Sequence, residues 1–528
     1  MDESVIFTTE QNALSTSLYS AEQAVLRQCS TSSRNSAVRV GDKYLFVAQS
    51  NKALINVYNI SGAHKRETVE QRLPTPEVIT CLEVIQNRYE EKSAISDFEL
   101  PHLLLGSTDG GKIYCWELNS GALLSVKQMA HYQGITKIKS FMDGKYFITS
   151  GKDSRVIVWQ TIDFVSNNAS EPKPICILHD HNLTVNDIAV SMTHGANMST
   201  SGAKLFTASE DSTVRCYDFS FLRGDFRKNR KSQEQDQKMY QPRLLATFTF
   251  PAAIEAMSLD PADRALYVGT SEGLFSLPLY YTVKGTSTVA NLAQASGSNR
   301  NKLYSVVISG HDDDYKKLFS MGQLVCDKLI STPVTKLELT FDATTILVGN
   351  KFGRISVVEI ASKQILKTLQ PLTTADTEED AITNIIVTTV NNSRQDSILE
   401  QHQSNKNVQK LPVLQRVVHD KDHAKHEVWY RAPETPEFSH ELESLPPIAD
   451  FEKYMDSIRS EETVFLTTET TSQVKNVKQE LAPASHSDSQ EQQELQQELQ
   501  QVKSAYKELR ELHESLFKEH EQLLSSMK

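Results

Sequence analysis

The stretch AHYQGITKIKSFMDGKYFITSGKDSRVIVWQ, residues 130–160, decides the fold. Three runs in it, ITKIKSF, YFITSG and RVIVWQ, are rich in β-formers with period-two alternation, and the tight turns DGK and KDS separate them. Side chains that alternate between two faces, joined by two-residue or three-residue turns, predict three antiparallel strands in succession. That is most of one blade of a radial β-sheet array.

The ending of the third strand recurs along the chain: INVYNI with Tyr58, KIYCWEL with Trp116, RVIVWQT with Trp159, TVRCYDF with Tyr217, a worn LFSLPL at Leu277 and RISVVEI at Val358. A WD repeat takes about 40–45 residues, and the intervals here run from 43 to 81. Polar insertions account for the excess at Gln86–Phe98, Thr193–Gly202, Arg223–Gln241 and Ser296–Asp314. The runs SVIFTTE from Ser4 and LSTSLYS from Leu14 precede the first full unit, and AITNIIVTTV from Ala381 follows the last. Pairing the first strands with the last completes a seventh blade and removes the sheet edges that invite aggregation. The expected fold is therefore all-β, a seven-bladed WD40 β-propeller followed by a linker and a C-terminal coiled-coil helix. Six or eight blades stay open as alternatives, because the longest interval has room for another worn unit around Lys302–Cys326.

His131, Ser150, Asp153 and Trp159 match the polar tetrad of a WD repeat, a chain of hydrogen bonds that pins four pieces of one blade. On paper they also resemble a Ser-His-Asp triad, but the blade-stapling job explains each member. A second, partial copy is His181, Asp211 and Tyr217, with Ala208 at the position expected to match Ser150. His419, His423 and His426 in HDKDHAKHEVW have spacings that suit a metal on a helix, although the interspersed Asp and Lys read better as a solvated segment. No phosphate-binding loop, dinucleotide-binding glycine pattern or HExxH is present. No catalytic site, cofactor or metal is expected.

The formal charge of -12 and pI near 5.7 argue against a surface shaped as a whole to coat nucleic acid. The insertion LRGDFRKNRK concentrates Arg223, Arg227, Lys228, Arg230 and Lys231, a candidate patch for local RNA contact or nuclear import. Six scattered cysteines without a C-x-x-C pair read as buried free thiols. The acidic N-terminus lacks an apolar leader, and no run reaches the roughly 18 apolar residues of a membrane span. A soluble intracellular protein that does not engage a membrane is expected.

Three regions follow: residues 1–391 form the propeller, closed by N- and C-terminal strands; 392–487 are an irregular extension and linker; and 488–528 are a coiled-coil helix. Within the extension, Ile448, Phe451, Tyr454 and Ile458 have near-helical spacing, which suggests a short docking helix near 448–460. In the terminal segment Leu495, Val502, Leu509, Leu516 and Leu523 fall seven apart, and Leu499, Tyr506, His513 and His520 form a second line four residues on. Such a seam is best covered by a second helix, which suggests a homodimer.

Several runs carry a more specific likeness: QCSTSSRNS from Gln28, KALINVYNISG from Lys52, VEQRLP from Val69, LPHLLLGSTDGGKIYCWELNSG from Leu100, MAHYQGITKIKS from Met129, DPADRALYVGT from Asp260, MGQLVC from Met321 and AYKELRELHESLFKEHEQ from Ala505. In these the chain resembles the fungal WD-repeat family involved in processing the second internal transcribed spacer of pre-ribosomal RNA. The resemblance implies a nuclear, non-enzymatic scaffold subunit acting in the nucleolus and nucleoplasm on maturation of the 60S subunit. The implied partners are a helical-repeat scaffold protein, a third small subunit, the pre-60S particle and a midasin-type AAA ATPase. It also implies self-pairing of the terminal helix. The rival reading is a substrate-receptor adaptor of another assembly such as a ubiquitin ligase.

Overall fold

The computed structural model describes residues 2–19, 23–41, 43–60, 67–85, 102–141, 144–166, 171–191, 204–219, 242–283, 289–293, 301–308, 315–371, 380–390 and 411–417. The chain divides into two units, Met1–Glu434 and Thr435–Lys528. All described residues belong to the first.

Its strands come in repeated groups of four. The first three strands, β1 (Asp2–Thr8), β2 (Ala13–Ser17) and β3 (Gln23–Leu26), wait for a partner from the other end of the sequence. Next come β4 (Ala37–Val40), β5 (Tyr44–Ala48), β6 (Leu54–Asn59) and β7 (Gln71–Pro74), then β8 (Cys81–Ile85), β9 (Leu103–Ser107), β10 (Ile113–Glu117) and β11 (Leu123–Lys127). The 130–160 stretch yields β12 (Ile135–Phe141), β13 (Tyr146–Gly151) and β14 (Val156–Gln160). A short helix α1 (Thr161–Val165) then leads to the outer strand β15 (Cys176–Leu178). These groups form separate four-stranded antiparallel sheets, each with its strands in chain order.

The following group is larger. Its members are β16 (Val185–Val190), β17 (Lys204–Ser209), β18 (Thr213–Asp218), β19 (Arg243–Thr249), β20 (Ile254–Leu259), β21 (Ala265–Thr270) and β22 (Gly273–Pro278). A small hairpin, β23 (Tyr280–Thr282) with β24 (Val289–Asn291), precedes β25 (Lys302–Ile308), helix α2 (Tyr315–Ser320) and β26 (Gln323–Ile330). The nine-stranded sheet runs β16-β17-β18-β19-β25-β26-β22-β21-β20, with β25 parallel to both β19 and β26. The last group is β27 (Lys336–Leu339), β28 (Thr345–Gly349), β29 (Ile355–Glu359) and β30 (Ile365–Leu369), and β31 (Asn384–Val390) ends the series.

β31 pairs antiparallel with β1, Val5 opposite Val387, and completes the sheet β3-β2-β1-β31. The chain ends are stitched there by buried hydroxyls: Thr8 with Thr383 at 2.7 Å, Thr31 with Thr383 at 2.9 Å, and the Asn384 amide donating to Thr8 at 2.8 Å. The inner strands follow one another in a ring: β4 beside β8, then β12, β16, β20, β27, β31 and back to β4. This closed radial array is an all-β propeller. The six third-strand endings read from the sequence lie in β6, β10, β14, β18, β22 and β29, with β22 third from the β20 end of the nine-stranded sheet.

Apolar clusters fill the wedges between neighbouring sheets. Leu103, Leu105 and Cys115 meet Phe147, Ile157 and Trp159 in one, and Tyr146, Val158 and Cys176 meet Leu205 and Tyr217 in the next. Full burial of one such side chain contributes about 1.5–3 kcal/mol. One expectation fails here: Ser296–Asp314 is not all insertion. KLYSVVI within it is strand β25, which buries Val306 and stacks Tyr304 on Phe248 at 5.6 Å. Between β22 and β27 the described residues hold the small hairpin, β25, α2 and β26, and no additional four-stranded sheet.

Candidate functional site

The polar staple of the β12–β15 sheet forms, with one member exchanged. His131 Nδ1 lies 2.9 Å from Asp153 Oδ1, His131 Nε2 lies 2.8 Å from Thr149 Oγ1, and the Trp159 indole N–H donates to the same hydroxyl at 3.1 Å. Asp153 therefore holds the proton on Nδ1, and Thr149 donates to Nε2 while accepting from Trp159. Ser150, the residue expected in this place, points the other way, to Thr136 at 2.8 Å. The reason is register. Trp159 stands opposite Phe147, and the side chain two residues along on the same face is Thr149, not Ser150.

The same correction applies one sheet on. His181 Nδ1 lies 3.0 Å from Asp211, and its Nε2 lies 2.7 Å from Thr207 Oγ1. Thr207, not Ala208, supplies the hydroxyl, so the strand position is filled rather than missing. Tyr217 in place of Trp donates its hydroxyl to Asp180 at 2.8 Å. Burial pulls the carboxyls of Asp153 and Asp211 upward, but the hydrogen bonds from the histidines and from backbone amides win and hold both below the usual carboxylate range. Thr149 is wholly buried and His131 is 3% exposed, so no substrate reaches this chain of groups. Its triad-like composition belongs to the blade.

The third-strand aromatics of the two preceding sheets use other acceptors. Tyr58 donates to the Arg27 carbonyl at 2.9 Å. In the β8–β11 sheet the position matching Thr149 is Gly106, and Trp116 donates instead to the carbonyl of Gln415 at 2.9 Å. Leu411–Val417, expected to be part of a linker, thus packs on the propeller with Leu414 buried.

QCSTSSRNS contributes the crossing between β3 and β4, which reaches the central strands. Arg34 pairs with Glu255 at 2.7 Å, the Asn35 amide donates to the Thr136 carbonyl at 2.9 Å, and Lys336 donates to Asn35. Near them Lys137 pairs with Asp187, which also accepts from the Met257 amide at 2.9 Å. Burial pushes the Lys336 ammonium down to about 8. No periodicity or motif marks these residues as neighbours; they converge only because the inner strands surround one axis.

Antiparallel order puts the loops that enter first strands, and the turns between second and third strands, at one end of every sheet. Val78, Met129, Tyr132 and Leu183 in the loops and Phe352 in a turn are exposed there. The Arg155 guanidinium lies 4.3 Å from the Tyr132 ring centroid. This rim is the candidate partner-binding face. All six cysteines are buried free thiols, pushed up to about 12 by burial. Among the described residues no His, Cys, Asp and Glu group suits a metal ion, and no helix is long and apolar enough to cross a membrane. The basic patch Arg223–Lys231, His419, His423 and His426, the 448–460 segment and the seam Leu495–Leu523 lie outside the described residues.

Residues 124–160 and 172–218, which carry both histidine staples, match the family model for the WD domain, G-beta repeat. Over its full 528 residues the chain is 99% identical to the pre-rRNA-processing protein IPI3 of Candida glabrata, with all of both chains covered. It is 46% identical to the protein of that name from Saccharomyces cerevisiae, over 99% of this chain and 100% of the relative. The chain belongs to the fungal WD-repeat pre-rRNA-processing family. A more distant member of this family, from Candida albicans, is 31% identical over 97% of this chain and 95% of its own. Among solved structures, a chain in the crystal structure of the mitotic checkpoint complex aligns with TM-score 0.42 and 14% identity, over 65% of this chain and 82% of that one. So distant a likeness carries no functional argument.

Proposed function

We infer that this family member is a non-enzymatic nuclear scaffold, required for removal of the second internal transcribed spacer and for maturation of the 60S subunit. The observation that carries the reading is the full-length identity to relatives named for pre-rRNA processing. The propeller suits such work because a rigid ring holds different partners at fixed geometry. Its polar staples are buried and committed to the blades, which favours positioning over chemistry.

On this reading the ring has seven blades. The nine-stranded sheet counts as two of them, β16–β19 and β20–β22 with β26, bridged by β25, and the ring of inner strands supports that count. The partners would be a helical-repeat scaffold protein, a third small subunit, the pre-60S particle and a midasin-type AAA ATPase. Residues 488–528 would pair two copies through Leu495, Leu499, Val502, Tyr506, Leu509, Leu516 and Leu523, and Arg223–Lys231 would make a local RNA or import contact. Depleting the protein in cells and probing ribosomal RNA precursors tests the function. Accumulation of species retaining the second spacer is the expected result, and normal precursor ratios would overturn it.

A further inference from the structure

Leu411–Val417 meets the propeller 299 residues away in sequence from the tryptophan it caps, and it does so without joining a sheet ladder. Its contacts alternate. The Leu411 carbonyl accepts from Gln71 Nε2 at 2.5 Å, and Leu414 is buried with Phe46, Ile55, Leu82, Trp116 and Leu123. Gln415 then makes three bonds. Its amide donates to the Gly121 carbonyl at 2.8 Å, its own carbonyl accepts from Trp116, and its Oε1 accepts from the Leu123 amide at 3.4 Å. Val413 and Val417 stay 62% and 61% exposed. One buried anchor flanked by backbone hydrogen bonds is how an extended peptide is held in a groove.

The receiving surface is shaped for this. Gly106 stands where the next sheet has its Thr149 hydroxyl, so the Trp116 N–H has no acceptor in its own strands and is left for an incoming carbonyl. Gly121 has φ +74, and a Cβ there would collide with the Val413 carbonyl. Only glycine combines that backbone with so close an approach.

We propose that Trp116, Gly121, Leu123 and Gln71 form a peptide-binding seat on the rim of the β8–β11 sheet, and that its occupant is this chain's own Leu411–Val417, docked as a separable strap. The chemistry the seat reads is a buried leucine followed by a residue that offers both its amide and its carbonyl. This assignment stands independently of the ribosomal reading.

The test uses the full-length chain, with hydrogen exchange followed by mass spectrometry and a fluorescent peptide of residues 409–418 as probe. In the unaltered protein the Gln415 amide, which donates to Gly121, should exchange at least tenfold more slowly than in free peptide, and added probe should not bind. Leu414→Asp should abolish that protection, leave exchange in Leu103–Ser107 and Tyr146–Gly151 unchanged, and open the seat to the probe. Gln415→Pro, which deletes the amide donor, should open the seat to the probe by a different route, again with exchange in those strands unchanged. A probe carrying Leu414→Asp should bind neither variant. Loss of protection across the strands, failure of both variants to fold, no uptake by an emptied seat, or uptake by the unaltered protein would each overturn the proposal.

Discussion

The β12–β15 and β8–β11 sheets solve one problem in opposite ways. Each buries a tryptophan at the same register position of its third strand, and each must satisfy an indole N–H that lies out of water. The first keeps the acceptor at home: Thr149, ten residues from Trp159, links the indole to His131 and through it to Asp153. The second has surrendered it. Gly106 offers no hydroxyl, and the acceptor is a backbone carbonyl of Gln415. A blade with its own staple is closed by local residues, whereas one with a borrowed staple takes its acceptor from a distant segment.

Breaking the self-contained staple should have the largest effect. Thr149→Val leaves His131 Nε2 and the Trp159 indole N–H without partners, and an orphaned buried group costs about 1–3 kcal/mol. A loss of about 2–5 kcal/mol is expected in denaturant unfolding, against about 1 kcal/mol for Ser150→Ala, which lies outside the staple. Equal losses from the two would return Ser150 to the role first expected of it.

A smaller effect sharpens the other side. Installing the missing hydroxyl by Gly106→Thr should not rescue autonomy, because a Cβ there meets Trp116 Cζ3 at 3.0 Å and Ile79 Cγ2 at 3.3 Å. Overpacking of this kind costs about 1–3 kcal/mol. Thermal unfolding should show destabilisation, and exchange should rise in the 411–417 strap as Trp116 is displaced. A stabilised protein would mean that the strap is dispensable to its sheet.

The mildest difference concerns acid. Asp153 and Asp211 have folded values below the ordinary 3.8. Their stabilising contribution is therefore present above that value and is lost as pH falls through the lower, folded one. Little change is expected between pH 7 and 5, with melting temperature falling below about pH 4. Replacing both with Asn should lower stability at neutral pH and flatten the acid limb. An acid limb of unchanged steepness would remove the two carboxylates from the explanation.

Much of the fold was legible because a propeller repeats. The endings at Tyr58, Trp116, Trp159, Tyr217, Leu277 and Val358 share a pattern that short-range alternation writes directly into the sequence, and each lies in a third strand. Positions set by register or by a distant partner are not legible in this way. Ser150 and Thr149 are adjacent and both bear hydroxyls, so only the pairing of Trp159 with Phe147 separates them. KLYSVVI reads as part of a polar insertion because a parallel bridging strand has no turn signal of its own. The strap carries no periodicity, since what it supplies is mainly backbone, which every residue possesses.

The local elements and the repeated staple follow from the order of residues alone, because strand alternation, turn chemistry and the His, Asp and Trp of a blade are properties of nearby residues. The chain's full-length likeness to pre-rRNA-processing relatives determined the family. It takes the folded ring to show that Thr149 and Thr207 complete the staples, that Arg34 and Asn35 reach the inner strands, and that Gln415 serves Trp116. Those contacts join residues far apart in the chain, and their identity depends on where the closed ring brings each backbone group to rest.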